Sequence, residues 1–425
     1  TNRLAMMRYL VSTEVRVAGP SRFDDLIGAP AEEFQDVALL AFPAPPADAA
    51  TVAALEPAVG VEPVLADAAR LFDKRFDRAV MFPEGVGRVV IDVETASAFT
   101  ARSLILNLSE TAFACNCVLQ AADGAGGYRT IREFRVDRSN TSINVGFMPH
   151  APVAVSFPVE HARKYRLIVE GISGRAGFTE IELLTAPRLD RFMEKQLAKM
   201  HPTPLPMWDT YLWDLQPALD DAGLAMQVEA VLDLTGELDT DGRLEWEVPQ
   251  GEWVILRMGM SPTGTKNAPA SPEGQGLEVD KMNRAAARAH FDAYIGELLR
   301  RMPAEDRRAF KHVVADSYEM GSQNWTDGFD ARFRAQFGYD PTPWLPVLTG
   351  RIVESADASE RFLWDMRRMV ADGVAYDYVG GLREISNEHG LKLWLENYGH
   401  WGFPAEFLQY GGQADQVSGE FWATG

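Results

Sequence analysis

Three glutamates in this chain sit at or just past the ends of apolar, strand-like runs. Glu319 ends Phe310-Lys-His-Val-Val-Ala-Asp-Ser-Tyr-Glu319, and Glu396 ends Gly390-Leu-Lys-Leu-Trp-Leu-Glu396. Glu420 lies in Ala414-Asp-Gln-Val-Ser-Gly-Glu-Phe-Trp422. Each has aromatic neighbours: Tyr318 and Trp325, Trp394 and Tyr398, and Phe421 and Trp422. This combination suits cleavage of a glycosidic bond. One carboxyl group protonates the leaving oxygen, and a second carboxylate either activates water or attacks the sugar. Aromatic faces hold the apolar side of a pyranose while amides and carboxylates take its hydroxyls. On that reading Asn324, Trp325, Tyr398, His400 and Trp422 are candidate sugar contacts. Any one of these glutamates alone is more often an ordinary salt-bridged residue at a strand end, since structural carboxylates are commoner than catalytic ones. Three of them on successive strands, each flanked by aromatics, favour chemistry.

The elements around them alternate. From residue 312 onward, strand-like runs at His312–Tyr318, 390–396 and 414–422 are separated by helical patterns near 327–337, 360–387 and 403–410. Such alternation predicts a parallel sheet. Polar bursts after successive strands favour a (β/α)8-type barrel, incomplete in this chain, over a doubly wound sheet. No Gly-x-Gly-x-x-Gly follows a strand and there is no Walker loop, which disfavours nucleotide binding. Upstream, residues 81–185 carry short alternating runs with turn signals between them, so a jelly-roll-like β-sandwich is predicted as an inserted module, with a structural role or sugar binding as its alternatives. Residues 1–80 read as a segment associated with the barrel, with one clear strand at Asp36–Phe42, and residues 186–425 as the catalytic segment. The fold class is therefore α/β plus all-β. A helix is predicted at Leu189–Met200 and another at Asn283–Met302. Asp241-Gly242 predicts a hairpin between Val231–Leu234 and Leu244–Val248. His312 is expected to be a satisfied core histidine.

With 61 acidic against 41 basic residues, the net charge of −20 argues against a nucleic-acid partner. No apolar run is long enough to cross a membrane. Cys115 and Cys117, two positions apart on one strand face, read as free thiols, because a bridge between them would be strained. The chain opens on Thr1 and closes on Gly425, and is expected to be a segment of a longer protein.

Several motifs carry a specific resemblance. Asp316-Ser-Tyr-Glu319, Asn324-Trp-Thr-Asp327, Gly338-Tyr-Asp-Pro-Thr-Pro-Trp-Leu-Pro346, Arg361-Phe-Leu-Trp-Asp365 and Gly419-Glu-Phe-Trp422 resemble glycoside hydrolase family 106, the α-L-rhamnosidases. So do Pro262-Thr-Gly-Thr-Lys-Asn-Ala-Pro-Ala270 and Gly276-Leu-Glu-Val-Asp-Lys281. The resemblance is distinctive over residues 230–425 and looser toward the N-terminus. It implies an inverting, calcium-dependent enzyme that removes terminal α-L-rhamnose from plant glycans or flavonoid glycosides. Carried over motif by motif, it makes Glu319 the general acid, Glu420 the general base, Glu396 a sugar-hydroxyl ligand or, as the alternative, the base, and Asp316 a calcium or sugar ligand. A periplasmic or secreted location goes with such an activity. A non-catalytic sugar-binding protein, or a retaining glycosidase of other specificity, are the alternatives.

Overall fold

The computed structural model describes residues 5–200, 213–398, 403–419 and 423. Strands β1 (Arg8–Leu26) and β2 (Gln35–Pro43) open the chain. They are followed by β3 (Ala58–Glu62), β4 (Val80–Met81), β5 (Arg88–Leu108), β6 (Phe113–Ala122), β7 (Tyr128–Arg138), β8 (Val153–Gly174) and β9 (Gly177–Leu184). Then come β10 (Leu232–Asp233), β11 (Arg243–Pro262), β12 (His312–Ala315), β13 (Lys392–Glu396) and β14 (Gln416–Ser418).

The N-terminal sheet has the order β1-β11-β2-β10, so a strand from beyond the sandwich is inserted between the first two. Its inner strands show period-2 sorting directly. Ala38, Leu40 and Phe42 of β2 and Val254, Leu256, Met258 and Met260 of β11 face one apolar cluster. The alternating Leu39, Ala41, Trp253 and Ile255 face another. Both faces being covered, β11 reads as a nearly continuous apolar run rather than an alternating one. This strand is continuous from Arg243, pairing along β1 from Arg8↔Pro262 to Leu26↔Arg243. The hairpin expected around Asp241-Gly242 is correspondingly smaller. Its turn is closed by a Leu238↔Leu244 bridge, and β10 pairs with β2 instead of β11. β1 holds one edge of β11 along its length, and β2 takes the other from Trp253 to Met260.

The sandwich strands form one hydrogen-bonded sheet, β4-β9-β5-β8-β6-β7, with β3 added along β5. β5 and β8 shift register between Glu94 and Phe99 and again between Ala101 and Ser103. Such bulges bend long strands, allowing one sheet to wrap its own core. That core also takes Val52, Leu71 and Phe72, residues assigned from sequence to the preceding segment. Cys115 and Cys117 are free and buried in it.

The parallel element is a three-stranded sheet, β12-β13-β14. The described residues thus form a parallel segment among mostly antiparallel sheets and not a closed eight-stranded barrel. Among the described residues β12 pairs only with β13, and in this chain His312 is exposed where a core histidine is expected, with Val314 60% exposed. Between β12 and β13 runs a helical segment from Ala356 to Glu388, α-helical apart from a π-helical stretch at Gly373–Val379. The Ser355 hydroxyl accepts the Ala358 N–H and caps it. Phe362, Met366, Met369 and Val370 recur at helical spacing and pack into the main core. The helix predicted at Leu189–Met200 shrinks to Phe192–Lys195, because Arg191 and Leu197 on either side take left-handed backbone angles.

Candidate active site

Two strand ends and a long loop build the site. β12 and β13 run parallel, with Ala315 opposite Leu395. Just past them, the Tyr318 N–H donates to the Tyr398 carbonyl at 2.9 Å. The Ser317 N–H is shared by two carboxylates, Glu396 Oε2 at 3.0 Å and Asp316 Oδ1 at 3.1 Å. On the other side of β13, the Asn397 N–H donates to the Ser418 carbonyl at 2.8 Å. The ends of all three strands are thus laced together where Asp316, Glu319 and Glu396 reside. Glu420, His400 and Trp422 lie outside the described residues.

Glu319 itself is half-buried. The chain before it is anchored by Tyr318, whose ring is buried and whose hydroxyl donates to the Gly321 carbonyl at 2.8 Å. Burial pushes that phenol well above its usual range, with Tyr378, Glu278 and Asp280 adding to the effect, so it stays a neutral donor. Phe403 and Tyr410 pack edge-on against the ring.

The loop beyond Glu319 turns inward, which corrects two expected sugar contacts. Asn324 is buried, with Oδ1 accepting the Leu10 N–H at 2.8 Å and Nδ2 donating to the Gln196 carbonyl at 3.3 Å. Its amide joins β1 to the loop. Trp325 is buried, stacked on Phe329 at 4.3 Å, and bridged through its backbone to Arg8. Both residues support the site from behind. Of the other expected contacts, Glu396 is buried at the β13 end, Tyr398 is half-buried beside it, and Asp316 is exposed.

Asp280 organises this underside, and sequence reasoning missed its role. It is fully buried. Its Oδ1 accepts from Gln323 Nε2 at 2.7 Å and from the Met282 N–H at 2.9 Å, and its Oδ2 from the Thr326 hydroxyl at 2.6 Å. Arg8 lies 3.6 Å from the same carboxylate and 2.7 Å from Asp327. Burial pushes Asp280 up from the usual carboxylate range, and these donors pull the other way. Its place in Gly276-Leu-Glu-Val-Asp-Lys281 was the available signal. The buried Lys281 next to it pairs with Glu278 and lies over the Tyr378 ring at 4.9 Å.

Asp316 and Glu396 are hard oxygen donors of the kind calcium takes, but calcium needs roughly six to eight oxygens. Among the described residues no group of three acidic, histidine or cysteine side chains is placed to share an ion. The two carboxylates supply the right donor chemistry but by themselves fall short of that number.

The profile of a glycoside hydrolase family described as alpha-L-rhamnosidase, family 106, matches residues 4–425. A solved structure of a rhamnosidase from Novosphingobium sp. PP1Y superposes with a TM-score of 0.80 at 26% identity, over 97% of this chain and 39% of that one. A Formosa agariphila protein provisionally named a beta-glucuronidase is 43% identical over 200 residues, which is 47% of this chain and 17% of that protein. The chain thus spans well under half the length of either relative. With a profile match over nearly its whole length, the chain belongs to glycoside hydrolase family 106, the alpha-L-rhamnosidases.

Proposed function

We propose that the intact protein hydrolyses terminal α-L-rhamnosides of plant glycans or flavonoids with inversion, Glu319 acting as general acid and Glu420 as general base. The observation that carries this reading is the lacing of three parallel strand ends around Asp316, Glu319 and Glu396. Parallel sheets present their chemistry at the C-terminal ends of the strands, and we read this one as part of a (β/α)8-type barrel. Glu319 gives its proton to the leaving oxygen. Glu420 takes a proton from the water that attacks the opposite face of the sugar. Glu396, held by the Ser317 N–H, keeps a fixed position from which it accepts a sugar hydroxyl. Tyr398, His400 and Trp422 complete the sugar contacts, while Asn324 and Trp325 keep the Glu319 loop rigid. Calcium, where bound, would be held in part by Asp316 and Glu396 and would fix the orientation of sugar hydroxyls.

The test is hydrolysis by the intact protein of a panel of aryl glycosides that includes α-L-rhamnoside and β-glucuronide. Selective release from the rhamnoside is the expected result. Release from the glucuronide alone would transfer the assignment to the specificity named for the Formosa relative. Binding without release from any member would mark a non-catalytic sugar-binding protein.

A further inference from the structure

The β-sandwich reaches into the site through the connection between β7 and β8. Asn144, in that connection, donates from Nδ2 to the backbone carbonyl of Glu319 at 2.9 Å, across 175 positions of sequence. The contact is close-packed on both sides. Gly321 has a left-handed backbone (φ +80°), and a Cβ there would lie 2.7 Å from the Ile143 carbonyl oxygen and 3.2 Å from the Asn144 Cα. No other residue type fits that approach without moving the connection.

The connection is itself clamped, so it can act as a fixed reference. The Met148 N–H donates to the Ala198 carbonyl at 2.9 Å, and the Met200 N–H to the Val145 carbonyl at 2.8 Å. Gly146 is pressed against the same segment, where a Cβ would meet the Ala198 carbonyl oxygen at 2.4 Å. Phe147 stacks on Tyr9 of β1 at 4.4 Å. Lys199 reaches back to the Asn140 carbonyl. The Ser322 hydroxyl, three residues beyond Glu319, donates to the Leu197 carbonyl at 2.5 Å. Glu319 therefore hangs between two anchors. On one side is the Tyr318–Tyr398 bond to the parallel sheet; on the other is a sandwich connection fixed to the 193–200 segment.

We infer that Asn144 is a positioning residue for Glu319: the sandwich sets the height of the acid over the leaving oxygen. The inference rests on the assignment of Glu319 as general acid. A carbonyl freed from Asn144 lets the Glu319 backbone drift while the sugar contacts on β13 stay in place. Proton donation is lost in preference to binding. An error of about 1 Å in the placement of a reacting group costs on the order of 100-fold.

The experiment compares N144A, N144D and E319Q in the intact protein on two rhamnosides, one with a poor alkyl leaving group and one with a dinitrophenyl group that needs little protonation. N144A is expected to lose about 10- to 100-fold in kcat on the alkyl substrate. On the dinitrophenyl substrate it should lose less than about 3-fold, with KM and melting temperature near wild type on both. N144D keeps the shape but turns an acceptor toward the carbonyl, so it should fall at least as far as N144A. Equal losses on both substrates, or N144D behaving like wild type, would overturn the inference and leave a packing role. E319Q separates the two levels. Should E319Q lack the leaving-group dependence, the acid assignment falls and this inference with it. Should E319Q show it and N144A not, only the role of Asn144 is lost.

Discussion

Glu396 Oε2 accepts the Ser317 N–H at 3.0 Å, a bond that ties the end of β13 to the first residues past β12. A carboxylate that accepts a backbone N–H makes a charge-assisted bond, worth about 1.5–3 kcal/mol. E396Q can still accept this bond through its amide oxygen and is expected to melt within a few degrees of wild type. E396A leaves the N–H with Asp316 alone and should be less stable by about 1–2 kcal/mol in urea unfolding. Both variants should raise KM, since each loses the charge that receives a sugar hydroxyl. An E396Q enzyme with unchanged KM would remove Glu396 from the list of sugar ligands.

Both oxygens of the buried Asp280 carboxylate are taken up by protein donors, so its removal should be felt first in stability. D280A strips the acceptor from Gln323, Thr326 and the Met282 N–H, and leaves the buried Arg8 with the more exposed Asp327 and the neutral Gln35 amide. Removing one member of a buried charged cluster costs about 3–5 kcal/mol. D280N can keep one acceptor and let the Thr326 hydroxyl turn to accept from its new amide, so a loss of about 1–2 kcal/mol is expected. The denaturation midpoints should therefore rank wild type, D280N, D280A. A D280A midpoint equal to wild type would show the cluster to be dispensable.

Much of the site was legible because it lies close together in sequence. The apolar run before Asp316 and the polar burst after it announced a strand end, and β12 and β13 form within the runs that predicted them. The direction of the loop beyond Glu319 was not legible. Asn324 and Trp325 have the residue types of a sugar site, but their partners, Leu10, Gln196 and Arg8, lie far away in sequence. Local pattern carries no information about which of two polar faces a distant strand will cover. The same limit applied to His312, whose apolar neighbours predicted burial while, among the described residues, its strand pairs on one side only. The single long β11 likewise depended on the length of β1, which no window around Asp241-Gly242 contains.

Glu180 sets a pH dependence away from the site. It lies buried on β9, with Oε2 accepting the Lys74 N–H at 3.0 Å and Oε1 buried without a hydrogen-bond partner among the described residues. Burial pushes its carboxyl up to about 8, and the nearby Glu182 and Asp73 add to this. In the unfolded chain the same group ionises near its ordinary value of about 4.3. Between those two values the folded state holds a proton that the unfolded state has released, so stability falls as pH rises and levels off above about 8. E180Q removes this titration and can keep the Lys74 bond. Its melting temperature relative to wild type should climb from pH 5 to pH 8. A constant difference across that range would mean Glu180 is ionised in the folded state.

Calcium dependence has a readout separate from turnover. If Asp316 and Glu396 contribute to an ion site, added calcium should raise the melting temperature of the chelator-treated intact protein, and D316N should weaken that rise. Binding to the native state alone stabilises by about 2.7 kcal/mol when calcium is at 100 times its dissociation constant. Identical melting curves with chelator and with millimolar calcium would leave the acids at these strand ends to the sugar alone.

The two proposed catalytic carboxylates are separable by leaving group. Glu319 and Glu420 stand 420 − 319 = 101 positions apart, and inversion requires their carboxyl groups to flank the sugar with room for a water, about 6.5–9.5 Å. E319Q cannot donate a proton, so its kcat should collapse by about 100- to 10,000-fold on alkyl rhamnosides. It should retain most activity on dinitrophenyl rhamnoside, whose leaving group departs without help. E420Q cannot activate water and should lose activity on both substrates alike, because attack is impaired whatever departs. Azide supplied to E420Q replaces the water and needs no base. Partial rescue giving the β-configured glycosyl azide would place Glu420 on the face opposite the leaving group. NMR of the first-formed sugar checks the same point independently, with β-L-rhamnose expected from an α-L-rhamnoside. Release of the α-anomer would make the reaction retaining, and one carboxylate among Asp316, Glu396 and Glu420 would then have to act as the nucleophile, about 5–5.5 Å from the acid.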